Sequence, residues 1–269
     1  MKKILIFTKR NFIEMIRDPI IYIFCLGMPI FMIILFQVIN NFINTDFSYF
    51  NLKTLIPGII MFSFSFVMLL VSLLISKDKA TAFLKRLYIS PLKSKDFILG
   101  YALCCFIIGI VQEILCVFTG YIFSLFNNDG YFSFVDSILL IIEMIPILLF
   151  FIFFGILLGT LLNDKAAPGI TSIIITLSGI LGGAWMPLDT MGNFETFCKF
   201  LPFYPSVYLG RVITKASHSI KDYTNPIIEQ YTLKGNELFY FLLPIILFTL
   251  LVIILSFLFF KRMSHKDSK

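Results

Sequence analysis

Two acids fall within apolar stretches long enough to cross a bilayer. Glu113, beside Gln112, stands in IVQEILCV, and Glu143 stands in LLIIEMIP, just before Pro146. A charged side chain at the bilayer centre costs about 2.5–3.5 kcal/mol on insertion scales, so an acid kept there is a functional candidate. Facing an internal cavity, Glu113, Gln112 and Glu143 would bind a cationic or polar part of a transported molecule. A protonated acid, capping by Ser, Thr or Tyr of a neighbouring helix, or snorkelling of Glu143 to the outer interface would account for the same residues.

Other chemistries find no residues to carry them. Cys25, Cys104, Cys105 and Cys116 lie inside apolar runs, Cys198 stands alone, and there is no C-x-x-C. Neither a disulfide framework nor a metal site follows. The two histidines, His218 and His265, fall in loops expected on opposite sides of a membrane, which leaves no His-based triad or metal centre. The chain has no G-x-x-x-x-G-K-[ST] and no Gly-Lys pair at all, so no phosphate-cradling loop is present. No catalytic residue is assigned.

The elements that position the two acids are spans. The 269 residues are 58% hydrophobic, 17% aromatic and only 14% charged. A soluble domain is about a quarter charged, so this composition with blocked apolar runs is that of a polytopic membrane protein. Six segments reach span length: 20–40, 55–76, 98–126, 138–162, 168–187 and 238–260. The expected fold is all-α, one membrane domain over 1–269, with no internal repeat. The N-terminus, with charges recurring to Arg17 and Asp18, does not read as a secretory signal. Sixteen Lys and Arg fall outside the spans on the side of the termini and six on the other. The positive-inside rule therefore places both termini in the cytoplasm, and the net charge of +6 reflects cytoplasmic loops, not nucleic-acid binding.

Two segments of the expected cytoplasmic side are amphipathic. In residues 1–18, Ile4, Leu5, Thr8, Phe12, Met15 and Ile16 share a face, Arg10, Glu14 and Arg17 lie opposite, and Phe7 is the exception. Asp18-Pro19 ends this surface helix before the first span. In 78–91, Ala80, Phe83, Leu84 and Leu87 line one face, Tyr88 follows, and Ser90-Pro91 stops the helix. An apolar stripe in a cytoplasmic loop must rest on lipid, on its own spans or on another protein. Within the spans, Gly155 and Gly159 form a small-x-x-x-small face, and Ser178, Gly182 and Gly183 offer a second packing surface. The loop 188–237 is rich in aromatics broken by Pro202 and Pro205.

Three stretches carry a resemblance. SKDKATAFLKRLYISPLKSKDFILGYAL resembles the intracellular loop of the type-2 exporter family of ATP-binding-cassette (ABC) transporter permeases. FTKRNFIEMIRDPIIYIFCLGMPIFMIILF is similar to that family's surface helix running into its first span. LSGILGGAWMPLDTMGNFETFCKFLPFYPSVYLGRVI resembles the end of its fifth span and its extracellular helical hairpin. The loop departs from the family in reading KDKATAFLKR where members often carry acidic residues and a Gly-Thr. The resemblance implies a permease with a coupling helix through which Ala80, Phe83, Leu84, Leu87 and Tyr88 meet a cytoplasmic ABC ATPase subunit. It implies pairing with a second permease copy, identical or related, and ATP and Mg handled by the partner ATPase, with no cofactor on this chain. The substrate implied is a drug, a peptide such as a bacteriocin, or a glycan, exported across a bacterial cell membrane; drug export would make the protein a multidrug-resistance factor. The alternative, a secondary transporter or channel without an ATPase, is disfavoured by the lack of intramembrane Lys or Arg and of inverted repeats.

Overall fold

The computed structural model describes residues 2–19, 21–42, 50–81, 94–126, 133–186, 188–189, 191–219 and 228–267. The elements are α1 (Lys2–Ile16), a π-helical turn (Ile21–Gly27) running into α2 (Met28–Phe42), α3 (Leu52–Ala80), α4 (Ser94–Phe126), α5 (Phe134–Leu161), α6 (Ala167–Leu181), α7 (Asn193–Lys199), α8 (Phe203–Ile213), β1 (Ser217–Ser219), β2 (Ile228–Gln230) and α9 (Glu237–Asp267). The π-turn precedes Pro29, whose missing N–H and bulky ring disturb the turn before it.

Among the described residues, five helices are long and apolar enough to cross a membrane: Tyr22–Asn40, Leu52–Ala80, Ser94–Leu125, Phe134–Leu161 and Glu237–Met263. The expected span 168–187 is shorter than the sequence suggests. α6 has 15 residues, roughly 22 Å, and ends where Gly182 caps it and Gly183 adopts φ +59°. That turn folds Ala184 back onto α3, where a Cβ on Gly58 would lie 1.8 Å from the Ala184 carbonyl oxygen. The fold is all-α as expected, with β1 and β2 adding only a short antiparallel ribbon in which Ser217 lies opposite Gln230.

α3 is the central helix. From Thr54 to Ser76 every residue is buried except Leu73. α4, α5, α6, α2 and α8 all pack around it. Water drives none of this packing inside a bilayer, so contact depends on close shape fit.

The N-terminal helix α1 docks on α4 by a face that takes in only part of the expected one. Phe7, Thr8, Asn11 and Met15 are buried, while Leu5, Ile6, Ile13 and Ile16 face outward. Phe7, the residue that broke the sequence pattern, is the central contact. Its ring meets Phe97 and Tyr101 edge-on at 5.3 and 5.0 Å and lies over Gly100, where a Cβ would come within 2.4 Å. Met15 packs its sulfur on Cys104 at 3.2 Å. α1 thus has two apolar faces, one buried against α4 and one exposed.

Candidate functional site

The α3 helix runs four residues past its expected end, because its helical phase continues through Lys77–Ala80 before Thr81 caps it. Asp78 falls three and four residues after the buried Ile75 and Leu74 and is itself only 3% exposed. Arg10 of α1 reaches it with both terminal nitrogens, Nη1 to Oδ2 at 3.1 Å and Nη2 to Oδ1 at 3.3 Å. Tyr101 of α4 donates its hydroxyl to the same Oδ2 at 2.6 Å. Glu14 holds the outer side of Arg10 at 2.6 Å. Burial works to lower the Arg10 guanidinium, but the hydrogen bonds and charge of Asp78, with the charge of Glu14, outweigh it and hold the group above its ordinary value. One residue on, the Lys79 ammonium donates to the carbonyls of Gly159, Thr160 and Leu162 at 3.3, 2.9 and 2.5 Å. These are carbonyls that the end of α5 leaves without helical partners, and a cation there also complements the helix dipole.

This polar knot sits directly before the expected coupling segment. Ala80 is the last residue of α3 and exposed, so the segment 78–91 begins inside a span helix rather than as a separate one. Phe83, Leu84, Leu87 and Tyr88 lie outside the described residues.

The interior acids are brought together by register. α4 and α5 run antiparallel, with Gly109 against Leu148 and the Tyr121 hydroxyl 2.7 Å from that of Ser137. That pairing sets Glu113 level with Glu143 across the seam. Glu113 is fully buried, and the Gln112 side-chain amide donates to the Ser63 carbonyl of α3 at 3.1 Å. Gln112 Oε1 and both carboxyl oxygens of Glu113 and Glu143 have no hydrogen-bond donor among the described residues. Such a group of acceptors suits a proton or a cationic donor.

Gly155 and Gly159 face α3. A Cβ at Gly155 would lie 2.6 Å from the Met68 carbonyl oxygen, and one at Gly159 would lie 2.8 Å from that of Ser72. Gly182 meets the Met61 methyl, and Gly183 lies under Leu188.

The opposite end of α3 is tied down by Arg211 of α8, which is fully buried. Its Nε donates to the Thr54 carbonyl at 3.1 Å and Nη2 to the Gly183 carbonyl at 2.7 Å. Thr214 adds a bond to the Lys53 carbonyl at 2.7 Å. Nearby, Asp189 accepts the hydroxyls of Tyr204, at 2.8 Å, and Tyr231. Burial, followed by the Asp189 charge and hydrogen bond, pushes the Tyr204 phenol up. Tyr231 is pushed up mainly by burial, with Arg211 opposing, and Tyr208 is pushed up to about 12, again mainly by burial.

Asp78 and Tyr101 carry much of this geometry and were not singled out by sequence, whereas Arg211 is the Arg that closes the stretch resembling the family's hairpin. The available signal for Asp78 was the helical phase that continues from Leu74 and Ile75. For Arg211 the signal was its place at the end of the hairpin-like stretch, in an otherwise apolar helix, FYPSVYLGRVI; its burial was not visible there.

Among the described residues, no group of three or more His, Cys, Asp and Glu could hold a metal ion. No curated protein matches the chain. The family whose pattern does match is the ABC-2 type transporter, over residues 2–214, which takes in every element from α1 to α8 and leaves out the ribbon and α9. With five helices of span length, the surface helix docked beneath them and the family pattern running through all but the last, this multi-pass membrane protein belongs to the ABC-2 type transporter family.

Proposed function

We propose that the chain is the permease subunit of an ATP-driven exporter that moves a hydrophobic or amphipathic substrate, such as a drug, a peptide or a glycan, out of a bacterial cell. ABC-2 membrane domains are transport components, and such domains typically pair with an ATPase. In this reading the whole of 1–269 is one membrane domain. The short α6 with its Gly182-Gly183 turn completes a sixth crossing, and both termini are cytoplasmic. A separate ATPase binds ATP and Mg and docks on 78–91 through Phe83, Leu84, Leu87 and Tyr88, with Ala80 at the root. A second permease copy, identical or related, completes the path. Glu113, Gln112 and Glu143 line that path and accept a cationic or polar part of the substrate. Gly155, Gly159, Gly182 and Gly183 serve helix packing.

The observation that carries this reading is the knot at Asp78 and Lys79. It fastens the helix end next to the expected docking segment to α1, α4 and α5 at once. A push delivered at Asp78 and Lys79 would reach three helices besides α3.

Co-purification with candidate ATPases tests the partner: one ATPase should be retained by the native chain and lost by Leu84→Asp and Leu87→Asp. If no ATPase is retained, and the two variants keep full transport in inverted vesicles, the reading fails. A Glu113→Gln variant that folds and transports normally would remove Glu113 from the substrate path.

A further inference from the structure

The central helix is sealed along its length except at one place. Between Thr54 and Ser76 only Leu73 is more than marginally exposed, and it lies in a cleft of about 720 Å³ at the α1 end. The floor is apolar, from Leu70, Leu73 and Leu74 of α3 with Met15 of α1. The rim is charged: Arg17 and Asp18 at the end of α1, Lys77 on α3 and Asp164 from the α5–α6 connection, beside the mutually paired Arg10 and Glu14.

From Leu70 to Lys77 the helix rises roughly 10 Å, about the distance from the first acyl carbons to a headgroup. The rim lies at Asp18-Pro19, where the surface helix gives way to the first span. Ile13 lines the cleft and is also one of the outward-facing residues of α1, so the cleft is continuous with the exposed apolar side of that helix. Arg17, Lys77 and Asp164 enter no ion pair among the described residues. Two free cations and a free carboxylate above an apolar floor match a head that carries a phosphate and an ammonium together.

We propose that this cleft is a binding site for one zwitterionic phospholipid with a primary amine in its headgroup. The phosphate sits between Arg17 and Lys77, the ammonium donates to Asp164, and one acyl chain runs down over Leu73. A primary ammonium has three N–H donors for the carboxylate, whereas a quaternary amine has none. The inference rests on membrane residence and the docked α1, not on the exporter reading, so it stands or falls separately from transport.

The test uses the full chain in nanodiscs holding equal parts phosphatidylethanolamine, phosphatidylglycerol and phosphatidylcholine, followed by native mass spectrometry of lipid that stays bound. The expected result is about one retained phosphatidylethanolamine per chain, well above its share of the disc. Lys77→Gln and Arg17→Gln, both at exposed positions, should each cut retention about tenfold, the effect of losing one charge-assisted hydrogen bond. Leu73→Trp, which sets a bulky ring on the floor where the acyl chain would lie, should lower retention strongly with an unchanged unfolding temperature. Retained lipid that mirrors the disc composition overturns the proposal. So does efficient maleimide cross-linking of Leu73→Cys chains to one another in the same discs, which would assign the cleft to a second copy.

Discussion

Removing Arg10 should destabilise the protein far more than neutralising Asp78, although the two form one ion pair. The asymmetry follows from burial and from what each residue keeps. Asp78 has a side chain only 4% exposed, and without Arg10 it retains just the Tyr101 hydroxyl. Breaking a buried pair so that a charge stays behind costs about 3–5 kcal/mol. Arg10 is 36% exposed and keeps Glu14 at 2.6 Å, so Asp78→Asn strands no buried charge. Asn is close to Asp in shape and can still accept from Tyr101, which leaves a loss of about 1 kcal/mol. Arg10→Ala should thus cost about 3 kcal/mol, toward the lower end because water reaches the Arg10 side of the pair. Combining Arg10→Ala with Asp78→Asn should recover about 1.5–2 kcal/mol of that loss, since the stranded charge is gone. The assay is denaturant unfolding of the chain in nanodiscs, with all three variants measured together. Equal costs for the two single changes, or a double variant that simply adds them, would refute the reasoning.

Three further outcomes follow from contacts already described. Gly155→Ala and Gly159→Ala each set a methyl within 2.8 Å of an α3 carbonyl oxygen, so each should lower stability by about 1–3 kcal/mol, read as a drop in unfolding temperature in detergent. Arg211→Met removes the donors to the Thr54 and Gly183 carbonyls and should cost about 2–4 kcal/mol. Arg211→Lys should not restore it, because one ammonium cannot reproduce the fork, and unfolding curves of the two variants will separate the cases. The phenols of Tyr204, Tyr231 and Tyr208 are all raised, which means the fold favours their neutral forms. Their contribution is complete below the unfolded tyrosine value of about 10 and is lost as pH climbs above it. Stability should therefore hold to about pH 10 and fall beyond it. Tyrosinate absorbance should show Tyr208 titrating near 12, and a single transition near 10 for all tyrosines would contradict the hairpin geometry.

Spans were legible because a bilayer demands long apolar runs, and five of them can be read directly from hydropathy. α6 was overestimated because hydropathy counts ILGGAWM as apolar while Gly183 at positive φ ends the helix. The face of α1 was only partly legible for another reason. Amphipathic arithmetic separates apolar from polar, yet this helix has to divide its apolar residues between a buried face and an exposed one. Leu5 and Phe7 score alike, and only the presence of Gly100 beneath Phe7 tells them apart. Charge counting met a similar limit. Asp78 looked like one more loop residue and Arg211 like an exposed outer cation, whereas both are buried at helix junctions. The two acids could be named as residues, but that Glu113 and Glu143 lie level depends on the α4–α5 register, which no single segment encodes.

Both buried charges do the same work at opposite ends of one helix, and that bears on how a bundle with almost no intramembrane charge can move as a unit. At one end Arg211 and Thr214 bind the carbonyls of Thr54 and Lys53, within the first turn of α3. At the other end Asp78 and Lys79 bind α1, α4 and the closing carbonyls of α5. Between them α3 is roughly 40 Å of nearly unbroken buried helix, in backbone contact with α5 at two glycines. A helix held this way has little freedom to bend or to slide against α5 without breaking charged hydrogen bonds at its ends. A displacement of its Asp78 end would be carried along the rod to Gly58 and Pro57, which lie against Ala184 and Gly210. Motion delivered beside residue 80 would emerge at the α8 hairpin as a shift of Arg211, not as a local rearrangement of loops. Weakening either tether should thus uncouple the two ends while leaving the spans themselves folded.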